Sequence, residues 1–389
     1  MKNNYSDLIH DIAYNNDASH IANDFSTQVF LPEDKEEIIE IVKQAIKENK
    51  KVICRWAGTN LVGNCLPIKD CFVLDVSKLD KIIEQKDQWV KVQPGVIWDV
   101  LNEYLAPEHL FFPVVLGSHT AAQIGAMIST NGAGMRAIKY GKMEHRVEEL
   151  EVLLVNAKKE IEVKYIIWDQ LQDFLWSEWM LGIVLEVKLK IIPKPTARSI
   201  DFLDFDNLEE ALSKVEEVKN QQNPELSALE IINPKVAKLL DLENKYYVLA
   251  EYENSTTWNI QDKAIIEDLR SKRDACYSVV VNAWYDQIED PHIIWISWQK
   301  EFIERFEKNN IPMFGHIGTG ILHPHFKQDE KKLVDQMYQL VQKLWWKVSW
   351  EHGIGIKKKK YLSEQEKSEF RKLKTNYDPN NIFGGNSIL

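Results

Sequence analysis

Residues 117–141 read GSHTAAQIGAMISTNGAGMRAIKYG, a run dense in glycine, alanine, serine and threonine. Small side chains let the backbone approach a flat or phosphorylated ligand closely, so this composition predicts a ligand-binding segment. Tight packing between secondary-structure elements is the alternative explanation. Predicted strands flank the run, at 89–93 before it and at 148–155 and 182–192 after it.

A glycine-bearing loop lies upstream of this run. Residues 55–63 read RWAGTNLVG and follow a predicted strand at 51–55. Backbone N–H groups of such a loop can cradle a phosphate, and Arg55 and Thr59 add side-chain donors. Taken alone, the loop is better explained as an ordinary turn between a strand and a helix.

Two histidine motifs lie towards the end of the chain. His316 and His323 stand seven residues apart in GHIGTGILHPH, with glycines between them. This spacing suits a turn that aims both imidazoles at one ion, and a pair of surface or core histidines is an equal alternative. Glu351 and His352 place a metal-ligating carboxylate beside a candidate base. A glutamate at a helix start beside a capping histidine is the other interpretation.

The remaining pattern predicts a two-part α+β organisation. Apolar residues at helical spacing predict a helix over 33–49. Pro193 and Pro195 indicate a boundary near residue 195. Beyond that boundary we expect helices and strands to alternate, with helices at 207–220, 258–272, 298–309 and 329–344 and strands at 246–252 and 276–282.

Composition excludes several classes of protein. The 389 residues are 44% hydrophobic and 28% charged, as in a globular protein. The net charge of -11 argues against nucleic acid as a partner. No apolar run approaches the length of about 18 residues that a transmembrane segment requires. Four cysteines without a CxxC pair suit a reducing compartment. We therefore expect a cytoplasmic protein, with peripheral attachment at the inner membrane as the alternative.

The ordered set of motifs resembles the flavin-dependent D-2-hydroxyacid dehydrogenases, the group that includes D-lactate dehydrogenase and the flavoprotein chain of glycolate oxidase. The motifs are RxxGTNLxG from Arg55, QPGVIWDVLNEYL at 93–105, FFP at 111–113, the run at 117–141, SExxLGIV at 177–184, GHxGxGxLHP at 315–324, EHGIG at 351–355 and YDPNNIF at 377–383. The resemblance implies an α+β fold with a two-subdomain FAD-binding domain of the vanillyl-alcohol-oxidase (PCMH) type at 1–195. It also implies an antiparallel-sheet cap domain at 196–350 and a C-terminal segment at 351–389 that returns to the first domain.

The resemblance further implies that the first domain binds FAD. The implied contacts are Arg55, Ala57, Gly58, Thr59, Asn60, Pro94, Gly95, Gly117, Ser118, Thr120, Ile124, Gly125, Asn131, Gly134, Glu178, Gly182, Ile183 and Asn386. Related enzymes attach the flavin covalently through a histidine in the first loop. Thr59 and Asn60 occupy that stretch here, so non-covalent FAD is expected.

The resemblance also implies a reaction and the residues that carry it out. In metal-dependent members, the residues that match His316, His323 and Glu351 hold a divalent ion, here zinc, manganese or iron, and the match to His352 is the base. The implied reaction oxidises a small D-2-hydroxy acid, D-lactate or glycolate, to the 2-oxo acid, with hydride passing to flavin N5. Electrons would then leave to a separate acceptor, namely a quinone, a cytochrome, an electron-transfer flavoprotein or oxygen. The alternatives are a larger hydroxy acid or lipid-precursor substrate, and a non-catalytic or differently specific flavoprotein subunit of a hydroxyacid oxidase complex.

Some positions depart from the family pattern near the expected substrate site. Thr319 and Ile321 stand where the family has aspartate and asparagine. The arginine that often binds the substrate carboxylate in the family's WxxR stretch has no match here, since the sequence from Trp295 reads WISWQK and Lys300 is a weak substitute. These departures leave the identity of the substrate open.

Six further departures replace family glycines with one and the same residue. They are Trp56, Trp176, Trp179, Trp345, Trp346 and Trp350. Glycine is scarce, at 16 residues or about 4% against an average of about 7%. Our hypothesis is that UGA encodes glycine in the source organism and is read here as tryptophan. Trp89, Trp98 and Trp168 stand at apolar or aromatic family positions and are expected to be tryptophan.

Overall fold

The computed structural model describes residues 12–25, 27–254, 263–344, 346–385 and 388. The strands are β1 (Gln28–Phe30), β2 (Val52–Arg55), β3 (Phe72–Asp75), β4 (Ile82–Lys86), β5 (Trp89–Val92), β6 (Leu110–Phe111), β7 (Val147–Val155), β8 (Ile161–Ile167), β9 (Ile183–Lys190), β10 (Ile192–Pro193), β11 (Arg198–Phe205), β12 (Leu226–Ile232), β13 (Tyr246–Glu253), β14 (Gln287–Ile288), β15 (Met313–Gly315) and β16 (His323–Phe326). The helices are α1 (Lys35–Glu48), α2 (Trp98–Leu105), α3 (Ile124–Ser129), α4 (Ala137–Tyr140), α5 (Leu171–Phe174), α6 (Leu208–Asn220), α7 (Pro234–Leu239), α8 (Lys263–Asn282), α9 (Ile296–Glu307), α10 (Lys331–Lys343), α11 (Gly355–Lys358) and α12 (Glu364–Tyr377). Helices beside antiparallel sheets confirm the predicted α+β class.

The first part of the chain builds two main sheets. A small parallel sheet has the strand order β1-β3-β2, and α1 connects β1 to β2. Asp34 caps α1 by accepting a hydrogen bond from the Glu37 N–H, and Ile38, Val42 and Ala45 form its buried face. A five-stranded antiparallel sheet, β4-β5-β9-β7-β8, follows.

The second part builds one six-stranded antiparallel sheet in the order β11-β13-β12-β15-β16-β14. All residues of β12 and β13 are buried, as expected for central strands with both faces covered. Arg136, which precedes α4, pairs with Glu251 on β13 at 2.8 Å, and both side chains are buried. This ion pair links the segment after residue 117 to the second sheet.

The end of the chain returns to the first sheet. Val52 donates to the carbonyl of Ile382 at 2.8 Å, and Gly384 donates to the carbonyl of Val52 at 2.9 Å. Phe383 between them is fully buried. None of the helices described here is long and apolar enough to cross a membrane.

One element was predicted wrongly. Residues 276–282 were expected to form a strand because three consecutive valines favour extended backbone, but they form the last turns of α8. Ile266, Arg273, Cys276 and Val280 are the buried positions of this helix, and their spacing of seven, three and four is helical. Of the helix predicted at 258–272, residues 258–262 lie outside the described part of the chain.

Candidate active site

Three side chains distant in sequence converge at the end of the second sheet. His316 lies in the turn after β15, His323 begins β16, and Glu351 lies in the loop before α11. Their ligand atoms all lie within 4.8 Å of one another. Nε2 of His323 is 3.1 Å from Oε1 of Glu351, and Nε2 of His316 is 3.7 Å from Oε2. The three residues predicted as metal ligands are therefore brought together.

This donor set fits a divalent transition metal. Two imidazoles and one carboxylate suit zinc, manganese or iron, and they leave coordination positions open for a substrate. Oε2 of Glu351 is buried and accepts no hydrogen bond from the described residues. The Nδ1 atom of His316 is bound by the Glu230 carboxylate at 2.7 Å, and that of His323 lies 3.3 Å from the Glu289 carbonyl. Both Nε2 atoms are thereby directed at the cluster.

Glu230 on β12 was not predicted as part of the site. It is fully buried and holds both His316 and Arg273. Burial alone would raise its pKa, but the two cationic partners lower that pKa to about 2. Burial likewise opposes a charge on His316, yet Glu230 and Glu351 raise the pKa of His316 to about 9. A metal ion that binds His316 must therefore displace a proton.

Asp290 is the second residue that sequence patterns missed. Its Oδ2 accepts hydrogen bonds from the backbone N–H groups of Trp350, Glu351 and His352, at 2.9, 2.8 and 2.9 Å. Its Oδ1 pairs with Lys358, and both side chains are fully buried. Burial alone would raise the pKa of Asp290, but His352, Lys358 and the backbone donors hold it well below its usual value. Asp290 thus fixes the loop that carries Glu351 and His352.

His352, the predicted base, lies beside the three-residue cluster. Its ring stacks on that of His323, with centroids 5.1 Å apart. Its Nδ1 is 3.6 Å from Oδ1 of Asp290, and its Nε2 is 3.3 Å from Oε1 of Glu351. The imidazole therefore presents Nε2 to the cluster and Nδ1 to a buried carboxylate.

The segments predicted to bind FAD also meet in space. Gly125 donates to the carbonyl of Pro94 at 2.7 Å, and the Glu178 N–H donates to the carbonyl of Ser129 at 3.0 Å. The indole N–H of Trp179 donates to the Gly125 carbonyl at 3.0 Å. The turn at 94–95, the run at 117–134 and the segment at 178–183 therefore line one region.

One carboxylate connects this region to the histidine cluster. Glu178 accepts hydrogen bonds from the backbone N–H groups of Ile354 and Gly355. A Cβ atom on Gly353, where φ is +86°, would lie 2.7 Å from Oε1 of Glu178, so the two loops are in close contact. The predicted flavin segments and the predicted metal ligands are neighbours.

Two family models match the chain on either side of this junction. Residues 26–160 match an FAD binding domain, and residues 297–386 match the C-terminal domain of the FAD linked oxidases. The chain belongs to the FAD-linked oxidases. It is accordingly an FAD-linked oxidoreductase of a family that acts on CH–OH donors. The family predicted from the sequence motifs is confirmed.

Curated relatives of this oxidase are named for several hydroxy acids. It is 25% identical to the glycolate oxidase subunit GlcD of Bacillus subtilis, an alignment that covers 95% of this chain and 90% of the relative. It is 24% identical to a putative mitochondrial D-lactate dehydrogenase of Schizosaccharomyces pombe, with 92% and 80% covered. The mitochondrial D-2-hydroxyglutarate dehydrogenase of Danio rerio is 23% identical, with 92% and 77% covered.

Solved structures support the fold. Alkyldihydroxyacetonephosphate synthase superposes with a TM-score of 0.63 at 15% identity, and the match covers 91% of this chain and 76% of the other. The predicted PCMH-type fold is confirmed.

Two buried indoles occupy the region where the predicted flavin segments converge. Gly134 has a φ of +121°, and a Cβ atom there would lie 2.0 Å from the Val115 carbonyl oxygen, so this approach requires glycine. The indoles of Trp56 and Trp179 pack edge to face with centroids 4.7 Å apart, and both are buried. A Cβ atom on Gly125 would lie 2.8 Å from the Trp179 ring. With tryptophan at these two positions, bulky rings fill the place where the predicted flavin segments converge.

Several predicted FAD contacts have protein partners for their side chains. The Arg55 guanidinium donates to the carbonyls of Ala13 and Asn16, at 2.9 and 2.7 Å. The Asn131 amide donates to the Glu144 carboxylate at 3.0 Å. Asn386 lies outside the described residues. The remaining predicted contacts lie in the loop at 57–60, in the turn at 94–95, in the run at 117–134 and at the start of β9. They are Ala57, Gly58, Thr59, Asn60, Pro94, Gly95, Gly117, Ser118, Thr120, Ile124, Gly125, Gly134, Gly182 and Ile183.

The departures near the substrate site have local explanations. Thr319 donates its hydroxyl to the His316 carbonyl at 3.1 Å and so stabilises the turn. Ile321 is fully buried. Lys300 pairs with Glu209 on α6 at 3.4 Å, so its side chain faces a neighbouring helix and does not supply a substrate-binding cation.

Substituting Asp290 should destabilise the fold. Asp290→Asn leaves the buried Lys358 ammonium with only the more distant Glu289 carboxylate, at 3.8 Å, so loss of the closer partner should cost up to roughly 3–5 kcal/mol of unfolding free energy. Asp290→Asn/Lys358→Met removes both charges and should regain more than half of that loss. Urea denaturation of the wild type and both variants measures this, and a double variant no more stable than the single one would contradict the pairing.

Proposed function

We propose that this oxidase converts a small D-2-hydroxy acid, D-lactate or glycolate, to the 2-oxo acid. The observation that carries the proposal is the convergence of His316, His323 and Glu351 beside His352, next to the segments predicted to bind FAD. Glu178 bridges the two groups of residues. The names of the relatives support a hydroxy acid as the substrate class.

Each residue has a role that its position suggests. A divalent ion held by His316, His323 and Glu351 would supply a Lewis acid for the substrate hydroxyl. His352 then takes the hydroxyl proton at Nε2. The Asp290 carboxylate near Nδ1 keeps the ring oriented and stabilises the imidazolium that forms. FAD, when bound, supplies the acceptor for the hydride that leaves the substrate carbon.

The substrate proposal is tested by anaerobic reduction of the flavin-loaded chain that carries Trp56→Gly, Trp176→Gly and Trp179→Gly, in which the indoles no longer fill the predicted flavin region. D-Lactate and glycolate should bleach the flavin band, whereas L-lactate should not, because the hydride must leave from one face of the substrate. Bleaching only by D-2-hydroxyglutarate would contradict the small-acid proposal. No bleaching by any acid, despite bound FAD, would favour the non-catalytic subunit. A quinone, a cytochrome or an electron-transfer flavoprotein remains our prediction for the electron acceptor, and the cytoplasm our prediction for the location.

We further infer that some of the tryptophans are glycine in the native protein. Trp176 and Trp179 have φ values of +78° and +59°, a left-handed backbone that favours glycine. Trp56, Trp346 and Trp350 do not have such a backbone, and Trp345 lies outside the described residues. The support at Trp56 is instead its ring, which packs against Trp179 among the flavin segments.

Two more tryptophans join this set on structural grounds. Trp284 has a φ of +68° and is 80% exposed just after α8 ends. Its N–H donates to the Val281 carbonyl at 2.9 Å, which is the left-handed helix ending that glycine most often supplies. Trp168 has a φ of +52° and is 82% exposed, which disagrees with the expectation that it is tryptophan. UGA codons at these positions would support the inference, and UGG codons would refute it.

A further inference from the structure

Lys142 differs from the other buried lysines of the described chain in having no acidic partner. Lys358 pairs with Asp290, and Lys374 pairs with Asp378 at 2.6 Å. Lys142 is only 3% exposed and forms no ion pair with the residues described. The indoles of Trp176 and Trp350 contribute to this burial, and no described residue supplies the ammonium with a counter-charge.

The surroundings of the Lys142 ammonium place it at the candidate active site. Its Nζ donates to the Trp350 carbonyl at 2.8 Å, directly before Glu351. It also lies 4.1 Å from the ring centroid of Trp176 and 4.0 Å from that of Trp350. Residue 176 adjoins the flavin segment at 178–183, so the ammonium stands where the flavin region and the metal cluster meet.

The neighbouring acids are already engaged elsewhere. Glu144 binds the Asn131 amide, Glu351 faces the two histidines, and Asp290 pairs with Lys358. Lys347 adds a second positive charge, with its Nζ 5.3 Å from the Trp350 ring centroid. Burial, together with the charge of Lys347, lowers the pKa of Lys142 to about 7 against the pull of the nearby acids. An anion bound beside Lys142 would supply the missing counter-charge and favour the protonated form of its side chain.

The two rings that cover the ammonium stand at two of the six positions where the UGA hypothesis places glycine, and the left-handed backbone of Trp176 supports glycine at the first of them. With glycine at 176 and 350, Lys142 keeps one hydrogen bond, to the carbonyl of residue 350. An ammonium has three N–H donors, so two are then available for an anionic ligand.

We propose that Lys142 binds a carboxylate of the hydroxy acid substrate. This inference rests on the proposed function and makes Lys142 a substrate-binding residue from the flavin domain. A charge-assisted hydrogen bond of this kind favours the carboxylate over a neutral analogue.

The test compares D-lactate with uncharged D-lactamide on the flavin-loaded full chain that carries Trp56→Gly, Trp176→Gly, Trp179→Gly and Trp350→Gly, so that no indole covers Lys142. Lys142→Met should raise the KM for D-lactate roughly 10- to 100-fold, as expected for a hydrogen bond to a charged group. It should leave the KM for the amide and the affinity for FAD unchanged. Lys142→Arg should keep the KM for D-lactate within a few-fold of the chain with these four glycines alone. Lys139→Met is the matched control, because Lys139 pairs with Glu253 at 3.3 Å, and its KM should not change.

Three results would overturn the inference. The first is an unchanged KM for D-lactate in Lys142→Met, and the second is an equal rise in KM for D-lactate and D-lactamide. The third is a shift of the flavin reduction potential without a change in KM, which would place the ammonium at the flavin instead. A flavin that no hydroxy acid reduces in the chain that retains Lys142 would refute the proposed function itself, and this inference with it.

Discussion

Replacing Trp56, Trp176 and Trp179 with glycine should convert a chain that binds FAD poorly into one that carries about one flavin per molecule. The indoles at 56 and 179 pack together where the predicted flavin segments meet. The indole N–H of Trp179 also donates a hydrogen bond to the Gly125 carbonyl. Glycine at 176 and 179 also removes the strain of a left-handed backbone. The ratio of the visible flavin band to the protein band in the purified triple variant measures the effect.

The matched control for this experiment is Trp284→Gly. It makes the same substitution at a left-handed position, but at the exposed end of α8 in the second part of the chain. It should leave flavin content unchanged, while raising the stability modestly because glycine favours that turn. A triple variant that remains colourless in excess FAD would show that these residues do not obstruct the cofactor.

Glu351→Gln should abolish metal-dependent catalysis while sparing the flavin. The substitution removes the anionic ligand from between His316 and His323, and Lewis-acid assistance contributes several kcal/mol to such reactions. The rate of flavin reduction by D-lactate should therefore fall by roughly 10²- to 10⁴-fold. Stopped-flow absorbance gives the rate, and metal analysis of the purified protein gives the occupancy.

Asp335→Asn serves as the control, because Asp335 lies on α10 and binds Lys360 at the surface. Its rate of flavin reduction and its metal content should match those of the wild type. If Glu351→Gln retains the wild-type rate with no bound metal, the three-residue cluster is not the catalytic metal site.

Sequence patterns were sufficient where a local rule decided the structure. The helix predicted at 33–49 is α1, since apolar spacing and the Asp34 cap both act within a few residues. The pairing of His316 with His323 follows from a glycine-rich turn that leads from β15 into β16. Glu351 could be assigned to the same site only through resemblance, because its approach depends on the packing of a distant loop.

Long-range packing explains what the sequence could not predict. Glu230 and Asp290 lie in no recognisable motif, and their roles arise from what surrounds them after folding. Local propensity misled the prediction at 276–282, where burial on one face of α8 outweighs the strand preference of valine. The resemblance implies that Arg55 contacts FAD, and the hydrogen bonds of its guanidinium to the carbonyls of Ala13 and Asn16 could not be predicted from the sequence.

The most direct test is anaerobic mixing of D-lactate with the flavin-loaded Trp56→Gly/Trp176→Gly/Trp179→Gly variant before and after removal of bound metal by a chelator. The account predicts rapid bleaching before treatment, little bleaching after it, and recovery when zinc, manganese or iron is returned. Bleaching that is equally fast in the metal-free protein would contradict the role assigned to His316, His323 and Glu351.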